Sequence, residues 1–234
     1  MSQSTLDARL AAAAQYVRQG AFFADIGTDH AHLPIYLLET GRISHAVAAD
    51  IAKGPLSKAE ENARLHNLHD KITFRLTDGL CGLSDLSITD IAICGMGGEL
   101  ISNIIDAADF VRDGGVRLIL QPMSKQDTLR RYLCGNGFSI VSERLAFAAG
   151  RVYSCICAEY TGKNEERDEW EYLIGSPILE TGEDIENYKR LIDDKCRALH
   201  TRISGRAQAD DSDEYGRNLL SALMKKRGEL DENK

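Results

Sequence analysis

Long hydrophobic runs are missing from these 234 residues. No window of about 18 apolar residues occurs, and the stretch Met1 to Arg9 is polar and mixed in charge, which predicts neither a membrane span nor a signal peptide. The six cysteines form no C-x-x-C pair and no dense framework, which favours reduced thiols in a cytoplasmic protein over disulfides or a metal site. An excess of positive charge is missing too, since 28 basic residues face 36 acidic ones. The chain therefore has no global attraction to nucleic acid, although a local basic patch stays compatible with RNA binding.

Short apolar runs alternate with helical stripes over the first 135 residues or so, and 43% of the chain is hydrophobic, enough for one sizeable core and a smaller appendage. The runs predict five strands at Phe22 to Ile26, His45 to Ile51, Ile72 to Leu76, Asp90 to Cys94 and Val116 to Pro122. The stripes between them predict helices, one of which is expected to open at Pro55 and run through Asn67. This alternation is typical of an α/β fold with a doubly wound, mostly parallel sheet, in which ligands bind outside the carboxyl ends of the strands.

The next two runs interrupt this alternation. Phe138 to Glu143 and Val152 to Glu159 are strand-like, but the segment between them is too short for the helix that a parallel return requires. We therefore expect an antiparallel pair at one end of the sheet. That ending is typical of class I Rossmann-like methyltransferases, whereas nicotinamide-binding folds usually close with another parallel strand.

The turn after the first strand does not fit a dinucleotide-binding fingerprint. The fingerprint needs three glycines, but the positions two and four after Gly27 are Asp29 and Ala31. A carboxylate at Asp29 would repel a pyrophosphate lying on the following helix. S-adenosylmethionine has a sulfonium, an α-amine and a ribose diol and carries no phosphate, so the turn predicts this cofactor rather than a nicotinamide one.

Acids or glycines also follow the next three strands. Asp50 lies 23 residues beyond Gly27, close to the spacing of an acid that binds both ribose hydroxyls, although it is also placed to cap a helix. Asp78 is well placed for an adenine amine, or alternatively forms an Asx-turn. The cluster from Gly95 to Gly98 indicates either close approach of the backbone to a ligand or a tight turn into the next helix.

The last third of the chain has a different pattern. After a charged linker, Thr161 to Glu169, two amphipathic stretches flank a polar turn at Gly205 to Asp213 and predict an antiparallel helical hairpin or coiled coil. We therefore expect a methyltransferase domain at 1–161 and a helical domain at 162–234. The first of the two helices is locally basic and either tracks a phosphate backbone or is simply solvated; its cations are Lys189, Arg190, Lys195, Arg197, Arg202 and Arg206.

Several motifs, taken in order, resemble one family. They are the run Asp25-Ile-Gly-Thr-Asp-His-Ala-His-Leu-Pro34, Ala49-Asp50-Ile51 with Gly54-Pro55-Leu56, Asp78-Gly79-Leu80, Gly95-Met96-Gly97-Gly98 and Gln121-Pro122. This combination resembles the bacterial tRNA (adenine-N1)-methyltransferases that modify adenine 22. The resemblance covers roughly residues 1–160 in motifs and extends to the helical C-terminal region in layout.

The resemblance implies S-adenosylmethionine as cofactor, tRNA as partner and a C-terminal coiled coil that helps grip the tRNA. It assigns the methionine part of the cofactor to the turn that contains Asp25, Gly27, Thr28, Asp29 and His30. It assigns the ribose to Asp50 and Ile51 and the adenine to Asp78 and Gly79. The segment with Gly95, Met96, Gly97 and Gly98 would wall the methyl group and the incoming base.

The loop after the fourth strand favours methylation of a ring nitrogen. It lacks the N/D-P-P-Y/F sequence that is typical of enzymes methylating an exocyclic amine, whereas adenine N1 has an in-plane lone pair and needs mainly positioning. Asp29 is the first candidate to stabilise the cationic product and His30 the group that orients it or accepts a proton, although Asp29 alternatively serves only the cofactor amine. His30 and His32 lack further ligands, so no metal is predicted. The rival hypotheses are a nicotinamide oxidoreductase, a methyltransferase for another RNA, a protein or a small molecule, and a non-catalytic RNA-binding module.

Overall fold

The structure is a computed structural model that describes residues 5–208 and 213–232, with side chains through Gly205 in the first range. The strands are β1 (Phe23–Ile26), β2 (Ala46–Asp50), β3 (Ile72–Leu76), β4 (Asp90–Gly97), β5 (Arg117–Ser124), β6 (Phe138–Ala148) and β7 (Arg151–Tyr160). The helices are α1 (Ala8–Tyr16), α2 (His32–Glu39), α3 (Lys53–Leu65), α4 (Gly98–Asp106), α5 (Gln126–Gly135), α6 (Glu169–Ile174), α7 (Gly182–Gln208) and α8 (Glu214–Glu232). Short 3-10 turns at His69–Lys71 and Asp109–Arg112 complete the described elements.

The sheet has the order β3-β2-β1-β4-β5-β7-β6. Strands β1 to β5 pair in parallel, and β7 pairs antiparallel with both β5 and β6. The predicted fold class, a Rossmann-like methyltransferase sheet with an antiparallel last strand, is confirmed. Because the order reverses between β1 and β4, the carboxyl ends of these two strands form the switch point where such sheets bind ligands.

Side chains from successive strand positions enter two separate cores. Phe23 and Ala48 point to the face covered by α1, α2 and α3, whereas Ile26 and Val47 point to the face covered by α4 and α5. Burial on both faces explains why the strands are continuous apolar runs rather than alternating ones. In β1 and β2 the polar residues Asp25 and Asp50 lie at or near the carboxyl ends of the strands, and they mark the candidate site.

Two central strands are longer than predicted. Strand β4 continues past Cys94 to Gly97, and β5 continues through Pro122, where an end was expected, to Ser124. The extension pairs Met96 with Pro122 through irregular register shifts. Proline is tolerated there because pairing of β5 with β7 ends at Leu120, so a missing N–H on that side breaks no ladder bond.

Two helix boundaries also differ from the predictions. Helix α3 begins at Lys53, so Pro55 lies third in the helix, a first-turn position whose N–H would have no helical partner in any case. Helix α7 continues through Gly205 to Gln208, so the predicted polar turn is wrong at its start, and its residues 209–212 lie outside the described residues. Burial of one helix face against α8 outweighs the modest helix-breaking tendency of a single glycine.

The helical region joins the sheet through a buried ion pair. The Arg130 guanidinium of α5 donates to both oxygens of Glu143 on β6, at 2.8–3.2 Å, and neither side chain is exposed to solvent. Arg130 also donates to Ser154 Oγ at 3.0 Å and to the Tyr172 carbonyl of α6 at 2.9 Å. A Cβ added at Gly175, just after α6, would overlap the Glu143 carboxylate, so only glycine fits there. This network ties α5, β6, β7 and the chain after α6 together.

Helices α7 and α8 pack as an antiparallel hairpin. Lys189 near the start of α7 pairs with Asp231 near the end of α8 at 2.6 Å, and Arg227 pairs with Asp193 at 3.1 Å. Apolar side chains of both helices, including Leu199 and Leu223, form a third core that also includes Leu145 of β6. The predicted helical hairpin is confirmed over the described residues.

Candidate active site

The turn after β1 lies against the ends of β2 and β4. Both Gly27 N and Thr28 N donate to the Ala49 carbonyl, at 2.8 and 3.0 Å. Gly27 has a φ of +73°, and a Cβ added to it would overlap the Met96 methyl group from the β4 loop. Glycine is therefore favoured here by its left-handed backbone, and its missing side chain leaves room for the flexible end of Met96. The turn and the β4 loop, singled out separately in the sequence, meet at this point.

The second half of the same turn is strained. His30 and Ala31 adopt positive φ angles of 63° and 52°, which is uncommon for residues other than glycine. The side-chain amide of Asn62, on α3, donates to the His30 carbonyl at 2.7 Å and stabilises this conformation. The exposed carboxylate of Asp29 lies 3.4 Å from His30 Nε2. The strained backbone thus presents Asp29 and His30 side by side at the edge of the sheet.

Asp25 is an acid inside the core. Burial raises the pKa of its carboxyl to about 6, and the nearby negative charge of Asp50 acts in the same direction. Beside it, the buried Thr28 hydroxyl acts on this pKa in the opposite direction, but its Oγ1 atom makes no well-formed hydrogen bond within the described part of the chain. A buried acid with a raised pKa and a buried hydroxyl without a well-formed hydrogen bond are unfavourable in the protein alone, so both features point to a polar, positively charged ligand at this position.

Asp50 is the last residue of β2, and Ile51 follows it directly. One carboxylate oxygen of Asp50 accepts from Ala52 N at 2.7 Å, but the residue at the N-cap position of α3 is Ala52. The alternative that Asp50 caps this helix is therefore wrong, and its second oxygen remains available to a ligand hydroxyl. Ile51 is 68% exposed, which is high for an isoleucine and leaves an apolar surface beside Asp50.

Asp78 and Gly79 lie in the loop after β3, where they line a cleft of about 640 Å³ together with Ile104 of α4 and Phe110. Within the described residues no N–H or O–H donates to the Asp78 side chain, so the alternative Asx-turn does not form; Thr77 Oγ1 closes the loop by donating to the Cys81 carbonyl at 2.8 Å. Gly79 has a φ of +54° and approaches Ile104 closely. The Asp78 carboxylate is exposed next to an apolar wall, a combination that suits a heterocycle with an amine.

The glycine cluster after β4 divides into two parts. Gly98 opens α4 and has no room for a Cβ, which would overlap the Lys125 carbonyl before α5. Gly95, at a φ of +80°, and Gly97 face more open space. Of the two interpretations, tight packing therefore describes Gly98, and close approach to a ligand remains available to Gly95 and Gly97.

Comparisons with known proteins agree with this geometry. A family model described as a methyltransferase domain matches residues 6–156. The tRNA (adenine(22)-N(1))-methyltransferase of Bacillus subtilis is 35% identical over 159 residues, which are 68% of this chain and 67% of that protein. The chain belongs to this methyltransferase family.

Solved structures extend the match to the helical region. A Streptococcus pneumoniae protein in complex with S-adenosyl-L-methionine is 29% identical, with a TM-score of 0.77 over 97% of this chain and 99% of that one. The Bacillus subtilis m1A22 tRNA methyltransferase TrmK is 28% identical, with a TM-score of 0.73 over 98% of both chains. Members of the family therefore share the α7–α8 hairpin as well as the sheet.

The sequence predicted no role for three residues near the carboxyl edge of the sheet. Asn62 carries no sequence signal, because its contact with His30 depends on how α3 packs. Gln121 was quoted as part of a motif without a role; its Oε1 atom is buried and unpartnered within the described part of the chain, and a glutamine in an apolar strand could have indicated this. Arg9 of α1 contacts Met123 Sδ at 3.1 Å and lies over the Tyr153 ring, which places the start of α1 beside the end of β5.

The basic stripe predicted on α7 does not form one solvated face. Lys189 is buried and paired with Asp231, Arg202 is paired with Asp213, and Arg197 is paired with Asp194. Burial lowers the pKa of Lys195. Arg206 lies beyond the side chains that the structure describes. Only Arg190 among these residues is exposed and pairs with no carboxylate within the described ranges, whereas Lys189 and Arg202 help to hold the hairpin together.

Two further findings concern metals and membranes. Among residues 5–208 and 213–232, no group of three or more His, Cys, Asp or Glu side chains is placed to hold a metal ion. The rings of His30 and His32 stack with centroids 5.5 Å apart.

No helix in the described part of the chain is long and apolar enough to cross a membrane. All six cysteines are free thiols.

Proposed function

We propose that this protein transfers a methyl group from S-adenosylmethionine to N1 of adenine 22 in tRNA. The observation that carries the proposal is the match to the Bacillus subtilis relative, which bears this activity in its name. The matching methyltransferase model covers residues 6–156, which include the whole candidate site. The partner is tRNA, with no membrane and no metal, and we place the protein in the cytoplasm. We also propose two functional parts, a methyltransferase domain at 1–161 and a tRNA-gripping helical domain at 162–234.

The residues at the carboxyl edge fit this cofactor. S-adenosylmethionine brings an α-amine for the buried Asp25 carboxylate and the adjacent Thr28 hydroxyl, and a ribose diol for Asp50. The relative from Streptococcus pneumoniae binds the same molecule. We propose that the methionine part contacts Asp25, Gly27, Thr28, Asp29 and His30, the ribose Asp50 and Ile51, and the adenine Asp78 and Gly79, with Gly95, Met96 and Gly97 beside the methyl group.

When bound, the cofactor supplies an electrophilic methyl group on its sulfonium. Adenine N1 carries an in-plane lone pair, so the main task of the protein is to hold N1 in line with that methyl. The glycine-rich loop with Gly95 and Gly97 leaves room for a flat base to approach. The exposed Asp29 carboxylate, oriented by His30 at 3.4 Å, is placed to stabilise the positive charge that develops on the purine or to accept a hydrogen bond from its N6 amine.

The test is methyl transfer from labelled S-adenosylmethionine to bacterial tRNA that lacks its own modification, followed by nucleoside analysis. We expect label in 1-methyladenosine, and none in a transcript carrying guanosine at position 22. Binding of the cofactor without transfer to tRNA would redirect the search to another RNA, a protein or a small molecule. Absence of both would contradict the methyltransferase assignment itself.

Asp29→Ala separates the two roles of that residue. If Asp29 acts on the purine, turnover falls while cofactor affinity measured by calorimetry is retained. Unchanged turnover removes Asp29 from the mechanism, and a parallel loss of cofactor affinity assigns it to the methionine part instead.

A further inference from the structure

The β6–β7 hairpin extends past the rest of the sheet on the side of the candidate active site. Pairing of β7 with β5 ends at Leu120 and Ile156, but pairing with β6 continues to Ala148 and Arg151. Because β7 is antiparallel to β5, its first residues lie beyond the carboxyl end of β5. The hairpin tip therefore stands at the same edge as the cofactor-binding turn.

The tip is a tight two-residue turn. Ala149 and Gly150 have positive φ angles of 48° and 77°, the conformation that matches the natural twist of paired strands. Such a turn holds the residues before and after it in register. The side chains on the last strand positions are thus presented in a fixed arrangement.

An aromatic ring and a cation form a pair near this tip. Phe147 of β6 is 40% exposed, and the Arg190 guanidinium of α7 lies over its ring with 4.7 Å to the centroid. Arg190 pairs with no carboxylate within the described part of the chain. The pair thus offers a flat apolar surface and an available positive charge to the same ligand.

A pocket of about 420 Å³ opens beside the pair, between the hairpin tip and α7. Its two acids are already neutralised, because Asp194 pairs with Arg197 and Asp193 pairs with Arg227 at 3.1 Å. The positive charge of the pocket lining that is left without a carboxylate partner is Arg190, and the exposed Arg151 lies outside the lining at the start of β7. The volume is within the range of roughly 300–1,000 Å³ typical of small-molecule sites.

We propose that the Phe147–Arg190 pair stacks an unpaired nucleotide of the RNA substrate next to the target base, with Arg190 contacting its phosphate. Single-stranded RNA is recognised mainly by stacking on aromatic rings and guanidinium planes. A target base held in paired structure must first leave its stack, and capture of a neighbouring nucleotide at the same edge of the sheet favours that opened state. This inference rests on the proposed function, since it takes tRNA as the substrate.

The first experiment is equilibrium binding of unmodified tRNA transcript to Phe147→Leu, Phe147→Tyr and Arg190→Glu, with cofactor affinity measured in parallel. Phe147→Leu keeps an apolar side chain but removes the ring, so we expect the Kd for tRNA to rise about 5- to 100-fold. Phe147→Tyr restores the ring and should bind like the wild type. Arg190→Glu should raise the Kd and lower the slope of log Kd against log salt by about 0.7, as expected for one lost phosphate contact.

Lys58→Glu, on the exposed side of α3, is the matched charge-reversal control and should leave tRNA binding unchanged. Cofactor affinity should stay at the wild-type value in every variant, and the KM for tRNA should rise while kcat at saturating tRNA is retained. Equal binding by Phe147→Leu and the wild type overturns the stacking proposal, as does a parallel loss of cofactor affinity.

A second measurement removes the base instead of the ring. Transcripts with an abasic site on either side of position 22 should bind the wild type more weakly, and for one of them Phe147→Leu should cause no further loss. Fully additive losses at both positions overturn the proposal. Because the wild-type protein is assayed for methyl transfer on the same transcript, failure of the stacking pair with intact methylation leaves the proposed function standing. No binding and no methylation by the wild type rejects both.

Discussion

Two polar regions of this molecule differ in whether their buried polar groups find all their partners within the protein. At the junction between the sheet and the helical region, Arg130 and Glu143 are fully buried, and each nitrogen and oxygen of the pair has a partner. At the carboxyl edge, Asp25 is buried with a raised pKa, and Thr28 Oγ1 makes no well-formed hydrogen bond within the described residues. The Arg130–Glu143 network, whose hydrogen bonds are all made within the protein, stabilises the fold. The turn after β1 has polar groups without full hydrogen bonding and a strained backbone, and a bound ligand would supply the missing partners.

Breaking the buried Arg130–Glu143 ion pair should have the largest effect on stability. Arg130→Met leaves the Glu143 carboxylate buried without a counter-charge, and we expect the free energy of unfolding to fall by about 3–5 kcal/mol in denaturant titrations. Arg64→Ala, which breaks the exposed pair with Glu60 on α3, should cost less than about 1 kcal/mol. A comparable small loss for Arg130→Met would mean that the junction is not a stabilising unit. The double replacement R130M/E143L should recover part of the loss.

The second prediction concerns the close approach at the first turn. Gly27→Ala forces a side chain into a positive φ and against Met96, whereas Gly20→Ala meets the same strain, at a φ of +75°, with nothing within 4 Å. Backbone strain of about 1–2 kcal/mol is therefore common to both variants. Because the overlapping atom is the end of a flexible side chain, we expect the two variants to lose similar stability, and only Gly27→Ala, which displaces the Met96 methyl group at the candidate site, to weaken cofactor binding in calorimetry. Equal cofactor binding by the two variants would falsify the role of the Met96 contact.

The third prediction concerns Asp25, whose carboxyl has a pKa of about 6 against an ordinary value of 3.8. The folded chain holds this proton more tightly than the unfolded chain, so its contribution to stability is present below about pH 4, is lost as the pH rises to about 6 and is level above that. At pH 8, Asp25→Asn should therefore be more stable than the wild type, by up to about 3 kcal/mol. This difference should shrink towards pH 4, as measured by urea unfolding.

The same residue should control the affinity for the cationic cofactor. Wild-type affinity should fall as the pH drops through about 6, because the protonated acid no longer attracts the amine. The Asn variant should bind more weakly and show no such dependence. A wild-type Kd that stays flat between pH 5 and pH 8 would separate Asp25 from the cofactor.

The smallest expected effect is at Asn62. Asn62→Ala removes the donor to the His30 carbonyl, which should cost about 1 kcal/mol and raise the Kd for the cofactor by loosening the strained turn. Glu61→Ala, the exposed neighbour on the same helix, is the control and should change neither quantity. If the two variants bind the cofactor equally well, the turn is held by its own backbone alone.

The sequence by itself determined the class of fold and the edge that carries the site. Buried strands alternating with helices required a parallel sheet, and too few residues between Glu143 and Val152 required an antiparallel last pair. The missing glycines at Asp29 and Ala31 predicted the type of cofactor. These inferences succeed because they depend on chain length, on periodicity and on the chemistry of single turns, all of which are local.

Only the tertiary structure decided how distant residues use their charges and hydrogen bonds. In the sequence, the cations of α7 predict one basic stripe. In the structure, Lys189 forms an ion pair with Asp231 of α8, and Arg202 forms one with Asp213 just before α8. Only the packing of α7 against β6 places Arg190 over the Phe147 ring. Gly98 has no room for a Cβ, unlike Gly95, because the Lys125 carbonyl lies against it. Pairing between residues far apart in sequence depends on strand register and helix orientation, which a local pattern does not contain.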